Sequence, residues 1–403
     1  MPTRTDEKTS PDLPVRVIPT DLTDGRLRPP DKGAALCLSG GGYRAMLFHV
    51  GAILRLNDAA MLRGLKRVSS VSGGSITAAV LGMNWTRLAF DDHDVAQNLD
   101  VMFRDPLRAM AARTIDENSI LAGLLLPGSI ADKITAAYDK HLFRGATLAD
   151  LPDDAQGPRF VINATNVQTG SLWRFSRPYM GDYQVGLVRD AQFPLARAVA
   201  ASSAFPPVLS PLTISDVDPA DFDSTTYGER FEPPYNDTVV LSDGGVYDNL
   251  GLETAWKHYD TILVSDGGGR LAPDPEPKGD WAQHGLRVID VVDNQVRSLR
   301  KRQLIDSYVR RQRAGTYWGI RSEFRDYRQG NTQFADPFNL AEFDPAPLAA
   351  VKTRLKRMDA ATQERLINWG YAICDTALRR HVLTGAGGGG GAAPRLPFPS
   401  RGL

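Results

Sequence analysis

The stretch from Ala34 to Trp85 repeats one design twice: an apolar run, a glycine-rich turn and an amphipathic helix pattern. In the first unit Ala35, Leu36, Cys37 and Leu38 are continuously apolar, as in a strand buried on both faces of a parallel sheet. Gly40, Gly41 and Gly42 follow, and Met46, Leu47, Val50, Ile53 and Leu54 then recur at the spacing of one helix face. The second unit runs from a strand at Val68–Val71 through Ser72-Gly73-Gly74 to a helix face at Ile76, Ala79, Val80 and Met83. Strand, crossover helix and strand dictate parallel pairing. The expected architecture is α/β: a mainly parallel sheet in a three-layer α/β/α arrangement, with additional helices at the C-terminal end.

Each unit points the free N–H groups of a helix N-terminus above the sheet edge, where negative charge is stabilised. The second turn also places a serine at its bend. A serine on a sharp strand-to-helix elbow projects its hydroxyl outward and needs small neighbours. "SVSGG", Ser70 to Gly74, has that form, with Ser70 in place of the first glycine of G-x-S-x-G. Serine-glycine turns are also common loop punctuation, so a purely structural turn stays open. The glycine triplet could supply backbone donors to a developing oxyanion. "GGGYRA" at Gly40–Ala45 also satisfies the dinucleotide fingerprint, which requires an acidic residue at the end of the next strand. Here that strand ends at Ser72, and no G-x-x-x-x-G-K-[ST] occurs.

A third apolar run, "TVVLSDGGVYDNLG" at Thr238–Gly251, ends in Asp243-Gly244-Gly245. Asp-Gly is a strong hairpin signal. A carboxylate at the mouth of a buried strand also lies where catalytic groups sit in open α/β sheets. Ser72 and Asp243 are expected to meet only if their strands are neighbours in one sheet.

"LSGGGYRAM", "SVSGGS" and "SDGG", in this order and spacing, resemble the patatin-like phospholipase family of lipid acyl hydrolases. The first stretch is also similar to the cytosolic phospholipase A group that shares this fold, and "ASSAFPPVLSP" and "GATLADLP" are further echoes. The resemblance covers roughly Ala34–Asp266. It implies Ser72 as nucleophile, Asp243 as general base, and Gly41 and Gly42 amides in a Gly40–Gly42 oxyanion hole. Arg44 is implied as the charged partner of that loop, with Ser70 and Gly74 flanking the elbow. Ser70 and Ala45 depart from the family's glycines, and both are small. An ordinary aspartate, with a pKa near ~4, is a poor base for a hydroxyl, so Asp243 is expected in an apolar, partly dehydrated position. A Ser-Asp-His triad is the alternative, with His258, His284 and His381 as the histidines after Asp243. No cofactor or metal is implied. A catalytically silent lipid- or protein-binding scaffold, and a nucleotide-dependent enzyme using the Gly40 loop, are the competing functional classes.

The chain has 403 residues, 42% of them hydrophobic, and 47 basic against 47 acidic residues, for zero net charge. This balance implies no nucleic-acid partner. Cys37 and Cys374 form no disulfide framework or metal cluster. Residues 1–32 read as a flexible leader without signal-peptide marks. Residues 33–284 read as the catalytic domain with a helical insertion at about 86–151, and 285–383 as a helical extension. Residues 384–403 read as a disordered tail. The insertion carries aliphatic residues at Ile120, Leu121, Leu124, Leu125 and Leu126, a lid or simply a buried helix, followed by a capping box at Ser129–Asp132.

Further on, the expected elements are a hairpin at Arg159–Ser176, a helix at Gln192–Ser203 stopped by Pro206 and Pro207, and a strand at Thr261–Ser265. The acidic loop Ser215–Asp237 matches no calcium-loop spacing. Helices are expected at Leu286–Arg313, Leu348–Met358 and Ala361–Leu383. The first is strongly basic between Arg297 and Arg313, a solvated cationic face or a surface resting on anionic headgroups. No apolar run is long enough to span a bilayer. The composition suits a cytoplasmic protein or one peripheral on a membrane surface, and signal-independent export is compatible. Nothing in the sequence fixes an oligomeric state.

Overall fold

The computed structural model describes residues 30–115, 130–206, 209–269, 271–331, 333–383 and 393–403. Within them one ten-stranded sheet forms. Its strands are β1 (Asp31–Leu38), β2 (Leu65–Ser70), β3 (Arg159–Asn166), β4 (Ser171–Ser176), β5 (Tyr179–Asp182), β6 (Gly186–Arg189), β7 (Leu212–Ile214), β8 (Val239–Asp243), β9 (Tyr259–Asp266) and β10 (Ala314–Gly319). The order is β10-β9-β1-β2-β3-β4-β5-β6, with β8 on β3 and β7 on β8. Pairing is parallel from β10 to β3 and antiparallel among the remaining pairs. The α/β class holds. The antiparallel share exceeds the expectation because β3 to β6 are joined by short turns, which can connect only antiparallel strands.

Strand β1 shows the layering. Leu36 and Leu38 enter the large core, while Ala35 and Cys37 enter a smaller core with Ile262, Val264 and Leu304, the period-two alternation of a strand buried on both faces. Helices α1 (Gly42–Asp58) and α2 (Gly73–Asn84) cover the first face. The Trp281–Val309 helix supplies Leu304 to the second. The expected hairpin is β3–β4, and the expected helix after it spans Leu195–Ser202.

The C-terminal part departs from a purely helical extension. Residues Ala314–Gly319 form β10, an edge strand parallel to β9. The Ala360–His381 helix packs across α1 and buries it along nearly its whole length. At the crossing, a Cβ on Gly51 would overlap the Ile367 carbonyl, and one on Gly370 the Phe48 carbonyl. Beside it, Arg55 and Asp375 form a buried ion pair at 2.8 Å, and removing either partner would strand a buried charge. The helix expected at Leu348–Met358 is helical only at Ala346–Ala349. Its backbone is drawn into tertiary bonds instead: the Leu355 carbonyl accepts from Ile115 N–H at 2.9 Å, and Met358 N–H donates to Ala111 at 2.8 Å. Residues 393–403, assigned above to a disordered tail, lie against the last helix, where Asn368 Nδ2 donates to the carbonyls of Phe398 at 2.8 Å and Gly402 at 2.6 Å. Most of the leader, the Ile120–Leu126 cluster, Ser129, Pro207 and residues 384–392 lie outside the described residues. Among those described, no helix is long and apolar enough to cross a membrane.

The helix crossing makes a direct prediction. Gly51→Ala should cost about 2–3 kcal/mol in urea unfolding by overpacking. Gly279→Ala, where nothing lies within 4 Å of a new Cβ, should change stability by less than about 1 kcal/mol. Equal losses at both positions would refute the close approach.

Candidate active site

Strand β3 has two edges, and β4 takes one of them along Ile162–Asn166. The other edge is shared. Strand β2 pairs with Arg159–Ile162, ending with Ser70 opposite Ile162. Strand β8 arrives antiparallel on Ala164–Asn166, ending with Asp243 opposite Ala164. The two strands are therefore not side-by-side neighbours, as expected from the sequence, but lie end to end with only Asn163 between their registers. Their C-terminal ends face each other, and each leads into a glycine turn. A Cβ on Gly244 would lie 3.3 Å from Val71 Cγ1, so the two ends touch.

Ser72 caps α2 with φ 50° and ψ −118°. A non-glycine residue there costs on the order of 1–3 kcal/mol of backbone strain, which the surroundings must hold. Gly74 permits the sharp bend, since a Cβ on it would overlap the Leu38 carbonyl. Beneath the turn, buried hydroxyls and amides fix the backbone. Ser72 N–H donates to Ser202 Oγ at 3.0 Å, and Ser202 Oγ donates to the Asn163 carbonyl at 2.6 Å. Asn163 Nδ2 donates to the Ser70 carbonyl at 2.9 Å. Ser75 Oγ sits 2.8 Å from Ser202 Oγ and donates to Ser70 Oγ at 3.1 Å. Ser202 also joins the second turn, its carbonyl accepting from Gly244 N–H at 3.3 Å. Ser202 and Asn163 escaped the sequence reading. Ser202 lies in the "ASSAFPP" echo, but nothing in that string reveals its partners.

Asp243 is 2% exposed. Its Oδ1 accepts from Gly245 N–H at 2.7 Å, while Oδ2 is buried without a hydrogen-bond partner among the described residues. Burial raises its pKa from 3.8 to about 7, against the opposing effects of the Gly245 N–H and the Ser72 side chain, with Asp293 adding to the rise. Ser72 is half-buried and near enough to influence the carboxyl, yet closes no full hydrogen bond with it. Such looseness is ordinary for catalytic groups before substrate binds. Among the described residues no histidine hydrogen-bonds Asp243. His49, buried beneath the glycine loop, is tied to Ser265 Oγ at 2.8 Å and the Ser39 carbonyl at 2.9 Å, and burial lowers its pKa to about 4.

The glycine loop lies against the serine: a Cβ on Gly40 would be 3.3 Å from Ser72 Cβ. Gly40 N–H is committed to the Asn249 carbonyl at 3.1 Å, so Gly40 shapes the loop and does not offer a donor, a correction to its place in the expected oxyanion hole. No hydrogen bond among the described residues engages the Gly41 or Gly42 N–H. Arg44 is buried and braces the loop from behind. Its Nε donates to the Gly267 carbonyl at 3.1 Å and its Nη1 to the Val351 carbonyl, while burial lowers its pKa to about 10 and leaves it cationic. The segment after Val351 crosses the outer side of the turn, where the Arg354 carbonyl accepts from Tyr43 N–H at 3.1 Å.

The model of the patatin-like phospholipase family matches residues 36–256, more than half of the chain and both halves of this site. The chain belongs to the patatin-like phospholipase family. No curated protein matches the sequence. Among solved structures it is similar to human GIVD cytosolic phospholipase A2 in complex with methyl gamma-linolenyl fluorophosphonate, at 14% identity and TM-score 0.46, covering 86% of this chain and 57% of that one. A second structure of human GIVD cytosolic phospholipase A2 matches at 14% identity and TM-score 0.38, over 61% of this chain and 47% of that one. VipD from Legionella pneumophila matches at 15% identity and TM-score 0.34, over 88% and 67%. The chain thus spans about half the length of the human protein. Within this patatin-like fold, the sheet edge and its two turns carry the candidate residues.

The buried carboxyl sets a pH dependence of stability. Its pKa is higher folded than unfolded, so the folded chain holds the proton more tightly. Its contribution to stability is full below about pH 4 and is lost as pH rises through about 7. Asp243→Asn cannot ionise, so its melting temperature relative to wild type should climb across that window, read by differential scanning fluorimetry. A difference that stays flat with pH would show that the carboxyl is not held in a dehydrated site.

Proposed function

We propose that this chain is a serine-dependent lipid acyl hydrolase, a carboxylic ester hydrolase of phospholipase A or lysophospholipase type, working through a Ser72–Asp243 dyad. The observation that carries the reading is the head-to-head meeting of β2 and β8. It sets a strained, half-buried serine beside a buried carboxyl whose Oδ2 is free and whose pKa stands at about 7. A base matched to neutral pH is what proton abstraction from a hydroxyl needs.

Ser72 Oγ attacks the ester carbonyl carbon while its proton passes to Asp243 Oδ2. The oxygen of the tetrahedral intermediate accepts from the Gly41 and Gly42 N–H groups, which are already oriented by the loop and need no reorganisation. Collapse breaks the bond to the alcohol, which leaves with the proton from Asp243. Ser72 keeps the acyl group. Water then gives a proton to Asp243 as its oxygen attacks the acyl carbon. The second collapse returns that proton to Ser72 Oγ and releases the fatty acid. These steps call for no metal or organic cofactor. Family membership supports a lipid as the acyl donor. A nucleotide reading of the Gly40 loop finds less support: Arg354 backbone lies over Gly42, and β2 ends in Ser69-Ser70 without an acid for a ribose.

An active-site-directed fluorophosphonate should place its adduct on Ser72 by peptide mass spectrometry. Ser72→Ala should abolish labelling, and Asp243→Asn should slow it by about 10²-fold or more. Labelling of another residue, or full hydrolysis by Ser72→Ala, would sink the proposal. Only ionised Asp243 can take the proton. The rate constant kcat/KM should therefore fall about tenfold per pH unit below about 7 and level off above it. A profile still flat at about pH 5 would remove Asp243 from the role of base.

A further inference from the structure

The parallel strands that lead to the glycine loop and to Ser72 at their C-terminal ends share a second opening at their N-terminal ends. Strands β1, β2, β3 and β9 begin there at Asp31, Leu65, Arg159 and Tyr259, and a cleft of about 550 Å³ lies among their first residues. Its lining carries five cationic residues, Lys32, Arg63, Lys66, Arg67 and Arg159, against the carboxylates of Asp31 and Asp154. The chain as a whole has no net charge, so this surplus is local. The six residues of β2, each rising about 3.3 Å, separate the cleft from Ser72.

Part of the charge is spent within the protein. Arg63 pairs with Asp94 at 2.7 Å, and Arg159 pairs with Asp154. The exposed Lys32 and Lys66 and the buried Arg67 have no carboxylate partner among the described residues. The two lysines lie together: a Cβ on Gly33, next to Lys32, would come within 2.8 Å of Lys66 Cγ. Arg67 is 3% exposed, its Nη1 donates to the Thr254 carbonyl at 2.5 Å, and its Nε is buried without a hydrogen-bond partner among the described residues. Register sets it opposite Arg159 on the adjacent strand. Burial lowers its pKa, and the charges of Arg159 and Arg174 lower it further. A buried cation without a counter-charge costs stability, and low-dielectric walls focus its field into the cleft. A bound anion would offset that cost.

The charge and shape of the cleft define the anion. Lys32, Lys66 and Arg67 against Asp31 leave a surplus of two positive charges, which a phosphate dianion or a diphosphate matches. The volume falls within the ~300–1,000 Å³ of small-molecule sites, leaving room for an organic group beside the half-buried Tyr259 ring. None of the exposed large apolar side chains lines the cleft, so it offers a bilayer nothing to insert, and the ligand is a soluble one. We propose that this cleft binds a small soluble phosphate ester or diphosphate, at a site separate from Ser72 and Asp243. The inference does not depend on the hydrolase reading.

Inorganic pyrophosphate, titrated into the full chain by isothermal calorimetry at constant ionic strength, serves as the probe. Wild type is expected to bind one equivalent and to melt at a higher temperature in its presence. The double variant Lys32→Ala, Lys66→Ala changes exposed positions only and should weaken binding by about tenfold or more. Arg67→Met keeps the stem, removes the charge and should also weaken binding; if it fails to fold, the lysine pair decides alone. Lys140→Ala, an exposed lysine elsewhere, should bind as wild type does, and so should Ser72→Ala, whatever its effect on ester hydrolysis. The proposal is overturned if wild type gives neither binding heat nor a thermal shift, or if the double lysine variant binds as tightly as wild type. Equal weakening by Lys140→Ala would reduce the effect to overall charge and overturn it as well. So would flotation with phosphatidic acid vesicles in the absence of any pyrophosphate binding, because the cations would then serve a lipid headgroup.

Discussion

Everything at the candidate site depends on two strands sharing one edge of β3. Strand β2 uses the first half of that edge and β8 the second, in opposite directions. A single residue, Asn163, separates Ser70's partner Ile162 from Asp243's partner Ala164. Two segments far apart in sequence are thereby fixed by backbone hydrogen bonds to a common strand, a more rigid reference than any loop. Asn163 then spends its own side chain on the Ser70 carbonyl and Ser69 Oγ, at 2.9 and 3.0 Å. The gap between the strand ends is closed by an amide where ladder bonds stop, so buried backbone groups stay satisfied.

Such rigidity matters because both candidate residues are held in unfavourable states. Ser72 stands at positive φ, and Asp243 is a carboxyl sealed from water. Neither would persist on a flexible segment, where the serine would relax and the carboxyl would hydrate back toward an ordinary pKa. Ser202 links the two penalties: its hydroxyl accepts from Ser72 N–H and its carbonyl from Gly244 N–H. The last residue of the Leu195–Ser202 helix thus positions both turns. Both penalties are offset by the stability of the surrounding sheet and helices.

The sequence made the local devices legible and hid the tertiary ones. The strand–glycine–helix units, the elbow at Ser72 and the strand ending at Asp243 each carry their signal within a dozen residues. The end-to-end docking of β2 and β8 carries none, since register on a shared edge is set by long-range pairing. Likewise Ser202 and Asn163 look like ordinary small and polar residues until their partners arrive. Leu348–Met358 misled because its apolar spacing fits a helix, while its carbonyls and amides are claimed by Tyr43, Ile115 and Ala111. Residues Ala314–Gly319 are too short and glycine-flanked to announce an edge strand.

The C-terminal segments therefore belong to the site and are not an appendage. The Ala360–His381 helix buries α1, whose N-terminus is the glycine turn, and the Arg55–Asp375 pair ties the two together. The chain between that helix and β10 lays Arg354 across Gly42 and supplies the Val351 carbonyl to Arg44. Held from behind by Arg44 and from above by Arg354, the turn has little freedom to collapse, and its Gly41 and Gly42 N–H groups stay unspent. Donors kept free by compression on both sides are what an oxyanion would meet without reorganisation. The Trp281–Val309 helix adds a third brace, Arg297 donating to the Gly269 carbonyl beside the same turn.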